Sequence, residues 1–238
     1  MGSMQQIRAI LFDCGGTLVE GAMPWYEVYR RALNLARHPL PQTEMVARYE
    51  AAIRRMTSDR TLAVSIRTGS TAGLASYLAE EFGLSEDRLR LALDEVVYDY
   101  PEARHMVPVD GVPEVLEQLK QRGYRLAVVS NWSVDLPRVL SAAHLDQHFE
   151  GIFASEAVGY SKPHAAAFLV PLERLGLTPG ISAYVGDLYD VDVAGSRDVG
   201  LTPVLFDPLG LGLHPDVLAI RRLRDLLSVF TGTRQVRS

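Results

Sequence analysis

The chain has 238 residues, 47% hydrophobic and 22% charged, an ordinary globular composition with enough apolar material for one large domain or two unequal ones. A formal net charge of -5 removes any electrostatic reason to expect a nucleic-acid or anionic-membrane partner, so an anion must be held locally. The single cysteine precludes an internal disulfide, and no apolar run reaches the roughly 20 residues of a membrane span. No charged-then-apolar leader pattern precedes the first strand, and a cytoplasmic location is expected.

The first element is an apolar run at 8–12, long enough for one buried strand, that stops at Asp13 and is followed by Cys14, Gly15, Gly16, Thr17 and Leu18. From 19 to about 107 the period is helical and no strand is expected. Pro24 opens a helix with Trp25, Val28, Tyr29, Ala32, Leu33 and Ala36 on one face, closed by Pro39 and Pro41. Met45, Tyr49, Ile53 and Met56 mark a second helix, and the Thr/Ser/Gly-rich interval 57–73 reads as loop. A third helix runs to Phe82 and stops at Gly83. Ser85 caps a fourth, with Glu86 and Asp87 in its first turn and Leu89, Leu93, Val96, Val97 and Tyr100 facing inward.

From Asp110 onward helix and strand alternate. Helices are expected over 112–122, 134–143, 164–175, 191–199 and 217–230, and strands over 126–130, 152–155, 183–186 and 203–206. Alternation implies parallel pairing, and with the first strand it predicts an α/β fold: a Rossmann-like five-stranded parallel sheet with an inserted all-helical domain. The core comprises 1–18 and 108–238, and the helical insertion 19–107.

Three of these strands end in polar residues, Asp13, Ser130-Asn131 and Asp187, and Lys162-Pro163 lies between the last two. In open parallel sheets ligands bind beyond the carboxyl ends of the strands. Tandem glycines let a backbone turn sharply against a ligand, Thr17 supplies a hydroxyl, and Asp13 is a candidate nucleophile or metal ligand. Lys162 and Lys120 are the two lysines among 24 basic residues, which hints that a compact ammonium is wanted at 162.

Together these segments resemble the four motifs of the haloacid dehalogenase (HAD) superfamily, mostly phosphohydrolases. Ser155-Glu156, Gly159, Lys162-Pro163 and Phe168 resemble the third-motif region of its branch with a helical cap after the first motif. The resemblance implies that the strands carrying Ser130 and Asp187 flank the one carrying Asp13, and that Asp13 forms an aspartyl-phosphate with a small phosphorylated substrate. It implies Mg²⁺ on the Asp13 carboxylate, the Gly15 carbonyl and Asp187, with Asp192 supporting the metal shell or ligating through water. Thr17, Ser130, the Asn131 backbone amide and Lys162 would bind the phosphate, Ser130 and Lys162 also acting in catalysis.

One position departs from the pattern. The family's first motif is Asp-x-Asp-Gly-Thr, and its second aspartate, a general acid/base that contributes about 10²- to 10⁴-fold, is here Gly15. The reading is a phosphatase of weak or selective activity, best on leaving groups that need no proton. A 2-haloacid dehalogenase, whose halide leaves without a proton, is an alternative, as is a catalytically deficient member that binds a phosphorylated ligand or a protein. Phosphonoacetaldehyde hydrolase also lacks the acid but needs a cap lysine, and the insertion has none. Glu20 and His105, near the cap hinges, are candidates to replace the acid. Trp25, Tyr26 and Tyr29 are expected to pack the insertion, Cys14 to be a small packing residue, and Trp132 to wall a pocket.

Overall fold

Strand β1, Ala9–Phe12, is apolar and buried at every position, the signature of a parallel strand covered on both faces. It opens a chain seen here as a computed structural model, which describes residues 7–21, 25–41, 44, 71–99, 106–208, 210, 212 and 214–231. The chain forms two units, Met1–Val19 with Pro108–Ser238, and Glu20–Val107.

The second unit is built from helices α1 (Trp25–Leu35), α2 (Thr71–Phe82) and α3 (Glu86–Asp99), with α3 packed on both of the others. Its core joins Val28, Tyr29, Ala32, Leu33 and Ala36 to Ala75 and Leu78 of α2 and to Leu89, Leu93 and Val96 of α3. The residues of α1 and α3 are among those that helical periodicity marks, and α2 ends at Gly83, whose φ of 61° suits glycine. The expected helix through Met45, Tyr49, Ile53 and Met56 lies outside the described residues, as do Pro24, Tyr100, His105, residues 57–70, and the side chains of Trp25, Tyr26 and Val97.

The expectation of no strand over 19–107 is corrected: β2 (Val19–Gly21) and β3 (Met106–Pro108) pair with each other as a separate two-stranded ribbon. Three residues hold too little alternation to show a strand period, and neither segment has a clean buried face.

The first unit continues with α4 (Val112–Gln121), β4 (Arg125–Ser130), α5 (Leu136–Ala142), β5 (Gly151–Ala154), α6 (Ser155–Val158), α7 (Ala165–Arg174) and β6 (Ser182–Gly186). A π-helical turn, Tyr189–Val193, leads into α8 (Ala194–Asp198), then come β7 (Thr202–Phe206), β8 (Leu218–Ile220) and α9 (Leu226–Val229). The sheet runs β5-β4-β1-β6-β7-β8, parallel throughout. It therefore has six strands where the sequence pattern predicts five. The sixth takes the start of the expected helix over 217–230: Leu218 to Ile220 pair with Val204 to Phe206, and a 3₁₀ turn and the short α9 follow. Leu218 and Ile220 share a face of this edge strand, yet Leu218 is exposed and Ile220 buried, so the segment carries no period-2 burial signal and an apolar count mistakes it for a helical face.

Leu11, Val129 and Tyr184 point to one face of the sheet, where they pack with Phe168 and Leu172 of α7. Among the described residues no helix is long and apolar enough to cross a membrane. Phe168 is fully buried, its ring edge-on to Tyr184 at 5.1 Å between centroids. Phe168→Ala is expected to cost about 3–5 kcal/mol, the usual range for a buried aromatic, read as a lower urea midpoint at unchanged slope.

Candidate active site

Register brings the polar strand ends together. Phe12 lies level with Val128 of β4 and Val185 of β6, so Asp13, Ser130 and Asp187 emerge at the same end of three adjacent strands. The Asp13 amide still donates to the Val185 carbonyl at 2.9 Å, which extends the ladder by one step. Beyond it the Cys14 carbonyl accepts from the amides of Thr17, Leu18 and Val19 and closes a tight turn. Cys14 itself is buried, as a packing residue would be.

Glycine is required where carboxylates press against this turn. Gly16 has φ +78°, and a Cβ there would sit 2.6 Å from Asp187 Oδ2. A side chain at Gly186 would overlap Asp192. At Gly15 the obstacle is different: a Cβ would stand 3.0 Å from Cζ3 of the Trp132 indole.

The centre is Lys162. Its ammonium donates to Asp13 Oδ1 at 2.6 Å, Tyr184 Oη at 2.7 Å and Asp192 Oδ1 at 2.7 Å, so all three N–H groups are used. The side chains of Lys162, Asp13 and Asp192 are 0% exposed. Burying an ion costs several kcal/mol, and only full satisfaction of its donors and acceptors offsets that. Each partner is itself held: Tyr184 Oη donates to the Val129 carbonyl at 2.6 Å, Asp192 Oδ2 accepts from the Leu188 amide at 3.0 Å, and Ser130 Oγ donates to Asp13 Oδ1 at 2.9 Å. The Lys162 backbone is clamped by the Asn131 side chain, which accepts from its amide at 2.7 Å and donates to its carbonyl at 2.9 Å.

Of the residues singled out from sequence, Asp13, Ser130, Lys162 and Asp192 thus share one hydrogen-bonded cluster, and Thr17 Oγ1 donates to Asp187 Oδ1 at 3.3 Å beside it. Gly15 lies in the turn against Trp132, and Glu20 is exposed on β2. Tyr184 is the member that sequence reading misses. Its one signal is a hydroxyl in the otherwise apolar run Ala183-Tyr184-Val185, which pattern analysis counts as a core aromatic.

One oxygen from each of Asp13, Asp187 and Asp192 lies within 4.8 Å of the others. Three carboxylates face one ammonium, an excess of negative charge in a buried place that suits a hard divalent cation with oxygen ligands. Within that group Asp192 accepts from a protein donor on each oxygen, Lys162 Nζ on Oδ1 and the Leu188 amide on Oδ2.

Residues 7–200 match the family model described as haloacid dehalogenase-like hydrolase. The chain is 35% identical over 108 residues, 45% of its own length, to the mouse (Mus musculus) haloacid dehalogenase-like hydrolase domain-containing protein 3, and the match spans only 43% of that relative. It is 26% identical to the glyceraldehyde 3-phosphate phosphatase of Methanothermobacter thermautotrophicus over 84% of this chain and 85% of that protein. In fold it is similar to the magnesium-bound HAD-hydrolase YfnB of Bacillus subtilis, with a TM-score of 0.65 and 21% identity over 95% of this chain and 99% of the other.

Removing the Tyr184 hydroxyl takes one acceptor from a buried ammonium. Tyr184→Phe is expected to lower stability by about 1–3 kcal/mol in urea denaturation, more than an exposed Tyr→Phe change, which stays within about 0.5 kcal/mol.

Proposed function

Because this chain belongs to the haloacid dehalogenase-like hydrolases, we propose that it is a Mg²⁺-dependent phosphatase that cleaves small phosphate esters with Asp13 as nucleophile. The observation that carries the reading is the pairing of Lys162 Nζ and Ser130 Oγ on one oxygen of Asp13, which fixes the carboxylate and sets a positive and a neutral donor beside it. The activity named for the archaeal relative, on a small phosphate ester, supports the same class.

In this scheme an Asp13 oxygen attacks phosphorus. The bond to the leaving oxygen breaks, and that oxygen keeps the electron pair. Lys162 and Ser130 stabilise the charge gathering on the transferred phosphoryl group, and the Asn131 amide adds a donor. Water then attacks phosphorus, breaks the bond to the Asp13 oxygen and returns the carboxylate with inorganic phosphate. The Asp13 and Asp187 carboxylates with the Gly15 carbonyl would hold Mg²⁺, which supplies charge neutralisation against the phosphate dianion. Asp192 acts on Lys162, keeping the ammonium aimed at Asp13. Gly15 has no proton to give, so the leaving oxygen departs as an anion and takes its proton from solvent. Turnover then favours esters of acidic alcohols and is selective.

Phosphate release from matched aryl and alkyl esters tests this. Asp13→Asn and removal of Mg²⁺ with EDTA are each expected to abolish release, and turnover surviving either would overturn the assignment. Gly15→Asp alone is expected to add little alkyl-ester turnover because the Trp132 ring stands 3.0 Å from the new Cβ. Gly15→Asp with Trp132→Ala is expected to gain at least about tenfold. Metal-independent halide release from a 2-haloacid, with no phosphate released from any ester, would replace this function with dehalogenation.

A further inference from the structure

The space beside Gly15 is filled, and what fills it selects a substrate. Trp132 follows Ser130 by two residues at the end of β4, and Gly15 follows Asp13 by two at the end of β1. Ser130 Oγ and Asp13 Oδ1 are in hydrogen-bond contact at 2.9 Å, so both chains leave the same polar cluster side by side, and the indole arrives 3.0 Å from where a side chain at 15 would begin. The backbone that carries the ring is anchored. The Trp132 amide donates to Ser155 Oγ at 3.2 Å, the Trp132 carbonyl accepts from the Glu156 amide at 3.2 Å, and the Val134 amide donates to Glu156 Oε2 at 2.8 Å. Residues 132–134 are therefore pinned to the first turn of α6, while Trp132 keeps part of its surface open to solvent.

We propose that Trp132 is the specificity-determining residue of this site, an aromatic platform that favours phosphate esters of aromatic hydroxyl compounds. The proposal rests on the phosphatase reading above, and two independent features of the site converge on that class. An indole has one N–H donor and no proton acceptor, so it cannot act as an acid/base in place of a carboxylate, and it meets position 15 with an apolar C–H edge: a Cβ there would lie 3.0 Å from Cζ3 and 3.9 Å from both Cε3 and Cη2. The positive edge of that ring favours the negative face of an aromatic leaving group, by roughly three- to tenfold for an edge-to-face aromatic pair. A phenol ionises near 10, as tyrosine does, and so leaves as an anion far more readily than an aliphatic alkoxide, which the absence of a side chain at Gly15 requires.

The test separates recognition from turnover. Binding of phenylphosphonate and methylphosphonate, neither of which can be hydrolysed, is measured by calorimetry with Mg²⁺ for the wild type, Trp132→Phe and Trp132→Leu. Release from phenyl and ethyl phosphate is measured in parallel. The wild type is expected to bind phenylphosphonate at least about threefold more tightly than methylphosphonate. Trp132→Phe should keep most of that ratio, and Trp132→Leu should bring it close to one. A ratio unmoved by Trp132→Leu, or no binding of either probe, overturns the proposal, whatever the esters do. The expected ratios without phosphate release from any ester would uphold the platform and overturn the phosphatase reading instead. Should Trp132→Leu not fold, the wild-type ring reports directly. In Trp25→Phe, which leaves Trp132 as the one remaining tryptophan, phenylphosphonate is expected to quench the emission and methylphosphonate to leave it unchanged, and equal responses overturn the platform.

Discussion

A buried ammonium with three acceptors holds this site together. Lys162 reaches the loop after β1 through Asp13, β6 through Tyr184 and the π-helical turn through Asp192, so one side chain ties three separately folded pieces to a single point. Buried charge makes such an arrangement all-or-none. With every donor matched, the ion is tolerated and rigid; with one missing, the desolvation cost returns without compensation. A lysine suits the place better than an arginine, whose planar fork is made for bidentate partners and could not meet three acceptors spread around one atom.

Steric fit does the rest. The Asp187 carboxylate lies where a Cβ of residue 16 would be, and the Asp192 carboxylate where one of residue 186 would be. Absence of side chains in the turn and at the end of β6 is thus what lets three acidic groups converge. At Gly15 the same economy serves a different end, because there the room goes to an aromatic ring. In the function proposed above, the polar groups beside Asp13 bind the phosphoryl group, and an aromatic edge stands where a proton donor would be.

Much of this was legible in the sequence because strands that stop at a polar residue announce both their burial and their open end. Asp13, Ser130 and Asp187 could be named from that pattern, while their adjacency needed a strand order that periodicity does not contain; the resemblance to a known family supplied it. Tyr184 was hidden by its own chemistry, since a tyrosine among alanine and valine is counted with the core until its hydroxyl is seen between Lys162 and Val129. Asn131 was legible as a polar strand end but not as a clamp, because its side-chain partners lie on the Lys162 loop. The edge strand β8 failed for the opposite reason: three apolar residues without alternation cannot be told from the leucine-rich stretch around them. The closeness of Trp132 to Gly15 follows from the meeting of two loops, which no single window of sequence encodes.

The order of strands in the sheet has a consequence for how the chain comes into being. β1 is the central strand, yet both of its neighbours, β4 and β6, are synthesised only after the whole helical insertion. At roughly 5–20 residues per second, a nascent β1 waits on the order of ten seconds with both edges unpaired. An apolar tetrapeptide in that state is a template for aggregation, and flanking charges are the ordinary safeguard. Arg8 and Asp13 bracket Ala9–Phe12 directly. The Asp13 carboxylate thus stands where a charged end-stop to that apolar run is wanted before Lys162 has been made.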